Sequence, residues 1–232
     1  MDRMFKALSL LLSYPGEEFQ RAIPELEAAL VSDIRLPANI RGKLATFLRE
    51  FATGDLYDLQ ERYVLLFDRT RSLSLHLFEH VHGEGRDRGQ ALVALLALYD
   101  EHGLVAPANE LPDFLPLYLE FLAVLPEEEA RRRAAEPLHV ISALRERLEK
   151  RESAYAAVLL AIEAFAEGTP DRAMLDALRA VPDDDPNDLA ALDRAWAEEP
   201  VTFGPGEANG SCTRADAMLR RMGTPAAARV MP

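Results

Sequence analysis

Between positions 5 and 180, apolar residues return every three or four positions, and runs of Val, Ile and Thr that would mark strands are absent. Such spacing closes into amphipathic helices. Leu and Ala dominate the apolar set and Glu and Arg fill the polar positions, all strong helix formers. With 232 residues, 49% of them hydrophobic, the chain can bury a sizeable core. The expected fold class is therefore all-α, a single helical-bundle domain.

Phe5, Leu8 and Leu12 share one helical face and predict a first core helix, ended by the Tyr14-Pro15-Gly16 turn. Phe19, Ile23, Leu26 and Leu30 predict a second, with Pro24 near its start. Ile40, Leu44, Phe47, Leu48 and Phe51 mark a third, stopping before Gly54, and Leu56, Leu59, Tyr63 and Phe67 a fourth, with Asp55 at its N-cap. A short helix over 72–80 is expected to stop at His82-Gly83-Glu84-Gly85. A long one over 86–102 should bury Leu92, Leu95, Leu96 and Tyr99 and end on a left-handed Gly103. Beyond a Pro-punctuated loop, Leu115, Leu119 and Leu122 resume the pattern, with Pro116 tolerated at the start. Pro126 opens a helix with three glutamates in its first turn, Pro137 breaks it, and Leu138, Ile141, Leu144 and Leu148 continue. Tyr155 to Phe165 forms the next, and Thr169-Pro170-Asp171 reads as cap, first residue and early acid of a last helix.

After position 180 the character changes. Residues 1–180 read as the helical domain. Residues 181–205 read as an acidic connector, a short helix near Trp196 and an extended segment packing back. Residues 206–232, small, polar and basic, are expected to be a poorly ordered tail.

A formal net charge of −13 makes phosphate backbones and anionic membranes poor partners and a basic peptide a good one. The one cysteine, Cys212, excludes an internal disulfide and a cysteine metal cluster. The N-terminal apolar run is short, interrupted by Ser9, and followed by no small-residue cleavage site, so it is expected to be a core helix of a cytoplasmic protein.

Three constellations carry chemistry. His76 and His80, four apart on the expected helix, suit two ligands of a divalent ion, with His82 or Glu79 as a third. Leu77, however, occupies the place of the general-base Glu in zinc sites of this spacing, and helix-end histidines commonly bond backbone carbonyls. The glycines at 83, 85 and 89, with Arg86 and Arg88, could cradle an anion at a helix start; the simpler reading is a tight turn whose arginines pair with nearby acids. Glu110 and Asp113 flank Leu111-Pro112 before a helix. They offer acid–base chemistry without a nucleophile, recognition of arginines, or a cap on the following helix. Arg131, Arg132 and Arg133 read as a solvated face.

In order, LLSYP (11–15), RYVLLFD (62–68), LSLHLFEHVHGEGRDRGQAL (73–92), ELPDFLPLYLEFL (110–122) and AEEPVTFGP (197–205) resemble the NarJ-type, or delta-type, assembly chaperones of respiratory nitrate reductase. These belong to the wider TorD/DmsD group of redox-enzyme maturation proteins. The resemblance implies an all-helical, non-enzymatic chaperone of the cytoplasm. Its partner would be the apo catalytic subunit, bound through its N-terminal peptide, and it could also meet molybdenum cofactor biosynthesis proteins. The molybdenum cofactor belongs to the client, so no cofactor of the chain's own is expected. The wider group carries an E-P-x-D-H pattern in a peptide-recognition loop; here Glu110, Pro112 and Asp113 stand in a similar place, the Pro shifted by one and Phe114 replacing the His.

A leader helix presents apolar and basic residues, so its receptor needs an apolar groove rimmed by carboxylates. Exposed rim pairs add about 0.2–1 kcal/mol each, against about 8 kcal/mol for micromolar affinity, so hydrocarbon burial must supply most of the binding. Glu110 and Asp113 are the candidate peptide contacts, with Phe67, Leu115 and Tyr118 as groove walls. His76, His80, Arg86 and Arg88 are assigned to a client or cofactor-loading surface. Two other readings are a metal-dependent hydrolase built on His76, His80 and His82, and a permanent structural subunit of a membrane redox complex.

Overall fold

A computed structural model describes residues 3–82, 86–183 and 188. Among them are eleven α-helices, one 3-10 turn and no strand. The helices are α1 (Arg3–Leu11), α2 (Glu17–Leu30), α3 (Ala38–Thr53), α4 (Leu56–Phe67), α5 (Leu77–His82), α6 (Arg86–Glu101), α7 (Leu115–Val124), α8 (Glu127–Ala134), α9 (Leu138–Lys150), α10 (Ala156–Phe165) and α11 (Arg172–Ala180). The short helix near Trp196, the 198–205 segment, Cys212 and the tail lie outside the described residues, as do glycines 83 and 85.

Hydrophobicity around the helix axis decides which helices are central. α7 (LPLYLEFLAV) and α10 (AAVLLAIEAF) carry almost no polar residue and are buried on most sides. α1 lies against α2, α7 and α10 and inserts Phe5, Leu8 and Leu11, each contributing about 1.5–3 kcal/mol by leaving water. α9 packs on α10 and α11. No helix among the described residues is long and apolar enough to cross a membrane.

Several expectations need correction. Pro24 lies well inside α2, on its exposed side, where a lost backbone donor is tolerated. The cap of α11 is Asp171, whose side chain accepts the Met174 N–H at 2.9 Å, and not Thr169. Leu96 is exposed, and of the described side chains of α6 only Leu95 and Tyr99 are buried. The arginines of α8 are not all simply solvated. The Arg131 guanidinium donates to the Phe165 carbonyl at 3.0 Å and lies over that ring, and Arg133 pairs with Glu129.

The largest correction concerns the helix expected over 72–80. A 3-10 turn spans Arg71–Leu73, and α5 starts only at Leu77. The intervening backbone bonds elsewhere: Leu77 N–H donates to the Asp113 carbonyl at 3.0 Å, and Leu115 N–H to the Leu75 carbonyl at 2.9 Å. These bonds form an antiparallel bridge between His76 and Phe114. Main-chain groups committed to it cannot close helical turns.

Candidate functional site

The bridge brings the histidine segment and the ELPD segment together. Asp113 sits at the crossing, 0% exposed. Its Oδ2 accepts the Phe78 N–H at 3.0 Å, one of the donors that the start of α5 leaves open. Asp113 is thus a helix cap, but for α5 across the bridge and not for α7, whose N-cap is Phe114. Its Oδ1 lies 3.4 Å from His76 Nδ1, and the His76 ring lies against Phe114 at 5.4 Å. The histidine beside this aspartate therefore comes from position 76, while Phe114 holds the place that follows it in sequence.

Each group's titration is shifted by its surroundings. The bond to Asp113 holds His76 above its ordinary value, against the pull of burial. Burial pushes the Asp113 carboxyl up, yet the His76 bond, the Phe78 N–H and the Arg88 charge together leave it below the usual range. His80 moves down because it is buried, and its Nε2 lies 2.8 Å from the Ser74 carbonyl. The two histidines do not share a helical face, since His76 precedes α5. Among the described residues no group of three or more His, Cys, Asp or Glu is placed to hold a metal.

Around this crossing three further clamps close. Tyr99 of α6 donates its hydroxyl to the Pro112 carbonyl at 2.7 Å. Arg88 pairs with Glu79 at 3.0 Å, tying α6 to α5. Arg147 of α9, 5% exposed, donates to the carbonyls of Ser72 at 2.6 Å, Leu178 at 2.9 Å and Val181 at 3.3 Å. Charge-assisted donation to three carbonyls satisfies a buried guanidinium without a carboxylate.

Of the residues assigned to the peptide groove, Glu110 is exposed. Phe67, Leu115, Tyr118 and Asp113 are buried. Phe67 packs in a ring cluster against Tyr63 and Tyr155, and Tyr118 donates to the Arg133 carbonyl at 2.9 Å. The side chain of Arg86 lies outside the described residues.

A family model for the nitrate reductase delta subunit matches residues 17–161. The nitrate reductase molybdenum cofactor assembly chaperone NarJ of Escherichia coli K12 is 43% identical over 201 residues, covering 84% of this chain and 83% of the relative. The chain belongs to the nitrate reductase delta subunit family. NarW of the same strain, given the same role by name, is 36% identical, with 87% and 84% covered. In fold, the chain resembles a protein assigned to redox enzyme maturation from Archaeoglobus fulgidus. That match has a TM-score of 0.51, 24% identity, and covers 71% of this chain and 93% of that one.

Four of the quoted family segments lie among the described residues, and they meet in pairs. The bridge joins the histidine and ELPD segments. LLSYP is gripped by α4: Tyr63 donates to the Leu12 carbonyl at 2.9 Å, Gln60 to that of Pro15 at 2.9 Å, and Tyr14 sets its ring edge-on to Tyr63 at 5.5 Å. Burial pushes the Tyr63 phenol far up, and the charges of Glu110 and Asp68 act in the same direction.

Sequence reasoning missed Arg147 and the Tyr99 hydroxyl. Arg147 had a signal: it falls three residues after Leu144 and beside Leu148, on the buried face of α9. A cation at such a place must find acceptors.

Proposed function

We propose that this protein is a non-enzymatic assembly chaperone of the cytoplasm that binds the apo catalytic subunit of nitrate reductase through its N-terminal peptide and assists molybdenum cofactor insertion. The observation that carries the reading is 43% identity to NarJ, spread over 84% of the chain. The physical chemistry supports it. A chain of net charge −13 attracts a basic leader, and each histidine of the 76–82 segment has an identified neighbour of its own: the Asp113 carboxylate for His76, the Ser74 carbonyl for His80 and the Phe78 ring at 5.6 Å for His82.

In this reading Glu110 is the member of the ELPD loop that meets the peptide. Asp113, Leu115, Tyr118 and Phe67 act from behind, fixing where the loop stands. The client carries the cofactor, and the chaperone's surface near α5 and α6 can meet loading proteins.

Calorimetry with a synthetic peptide of the client's first residues tests the reading. Wild-type protein binds it with micromolar or tighter affinity, about 8 kcal/mol or more. Absence of heat, together with failure to retain the client from cofactor-deficient cells, would sink the proposal. Glu110→Ala should weaken binding severalfold, as loss of one exposed charge contact does.

A further inference from the structure

The helix α6 carries nine consecutive residues, Ala91-Leu92-Val93-Ala94-Leu95-Leu96-Ala97-Leu98-Tyr99, without a charge or amide among them. A helix apolar on all sides is normally covered on all sides. This one buries Leu95 and Tyr99 and leaves Val93 66% exposed, Leu96 38% exposed, and Ala94 and Ala97 open to solvent. Val93, Leu96, Ala97 and Asp100 follow one another at helical spacing and form a single outward stripe. A Cβ built on Gly89 meets nothing within 4 Å, so the stripe continues as open ground toward the first turn.

At the C-terminal end of the stripe the charge is negative. Among the described side chains of α6, the exposed charged ones are Asp87 in the first turn and Asp100 and Glu101 in the last. Arg88, which could have offset them, is turned to Glu79.

We propose that this outward face of α6 is the docking surface for an amphipathic basic helix, the leader segment of the client. The inference rests on the chaperone reading and assigns the place where the leader lies. Leucine-sized side chains of the leader would cover Val93, Leu96 and Ala97, while its lysines or arginines reach Asp100 and Glu101 at the C-terminal end. A second copy laid parallel would set Asp100 and Glu101 of each chain against their own counterparts, which stacks like charges, and self-association is one of the outcomes that the test separates.

The test uses the full chain and a fluorescently labelled synthetic peptide of the client's first residues. Val93→Lys with Leu96→Lys should lower affinity about tenfold or more, a loss read directly as a shift in Kd. Asp100→Asn with Glu101→Gln should lower it severalfold and flatten its dependence on salt. Tyr57→Lys, an exposed aromatic on α4, should leave it unchanged. Circular dichroism and Tm check that the variants fold, and Val93→Ser with Leu96→Ser serves if the lysines disturb the helix. If wild type binds and both α6 pairs bind as tightly, the docking face is elsewhere and the chaperone reading survives. If wild type does not bind, the docking assignment falls, and if the client from cofactor-deficient cells is not retained either, the chaperone reading falls with it. Sedimentation showing a dimer that Val93→Lys with Leu96→Lys separates would mean that the face covers itself and would overturn the assignment.

Discussion

The two junctions of this molecule hold by different means. At the LLSYP junction seven rings interlock: Tyr14, Phe19, Phe47, Phe51, Tyr63, Phe67 and Tyr155, with centroids from 4.2 to 6.2 Å apart. At the bridge junction Leu73, Leu75, Leu77 and Leu115 are buried too, but polar clamps take the place of the ring cluster, namely Asp113 on Phe78 and His76, Tyr99 on Pro112, and Arg147 on Ser72. Ring area is tolerant of direction, whereas hydrogen bonds fail one by one when a donor moves.

Tyr155→Ala should show the strongest effect. It empties the centre of the ring cluster, where Tyr155 meets Phe47, Phe51, Tyr63 and Phe67, and should cost about 3–5 kcal/mol in urea unfolding. Tyr155→Phe separates area from polarity. The hydroxyl finds no hydrogen-bond partner among the described residues, so Phe should be within about 1 kcal/mol of wild type or above it. A larger loss would show that the junction depends on that hydroxyl after all.

Asp113→Ala attacks the other junction. It strips a cap from α5 and leaves His76 without its carboxylate, and should cost about 3 kcal/mol. Asp113→Asn should cost less, because an amide oxygen still accepts the Phe78 N–H. Hydrogen exchange distinguishes the junctions: Asp113→Ala should speed exchange in α5 well before α10.

These two positions also show what was legible beforehand. Ten of the eleven helices were readable because apolar periodicity is a local signal, and Leu44, Phe47, Leu48 and Phe51 fall inward as spaced. The bridge was only half readable. Leu73, Leu75 and Leu77 alternate with Ser72, Ser74 and His76, an extended spacing and not a helical one, but nothing local names the partners, Asp113 and Leu115, to which that backbone bonds. Asp113 was singled out, but as a cap on the helix that follows it; the cap it makes on α5 joins groups 35 positions apart, which no local pattern carries. Leu96 failed for another reason: in α6 the apolar residues run all round the axis, so periodicity cannot say which face is covered.

The histidines beside the bridge sharpen the comparison through pH. His76 has a raised folded value. Its contribution is therefore full below the ordinary value of about 6.5 and fades as pH rises through the folded one. Asp113 stays charged across that window because its own value is held down. His80 has a lowered folded value. Its contribution is present above about 6.5 and is lost as pH falls through the folded one. Unfolding curves from pH 9 to pH 5 should therefore separate two variants. The stability gap between wild type and His76→Gln should widen toward acid, and that between wild type and His80→Gln should narrow. Parallel curves would mean that the bridge does not sense either proton.

The smallest effect on stability is expected at Val93, and that smallness is informative. Val93 and Leu95 stand two residues apart on one helix, one facing water and the other the core. Leu95→Ala should cost about 2 kcal/mol or more by opening a cavity. Val93→Ala should change stability by less than about 0.5 kcal/mol, since alanine is the better helix former and no packed neighbour is lost. For leader affinity the order should reverse, with Val93→Ala the more harmful of the two in the folded protein. A side chain that contributes nothing to folding yet is needed for binding belongs to a contact face, whereas equal effects on both measurements would mean that α6 packs more tightly than its exposure indicates.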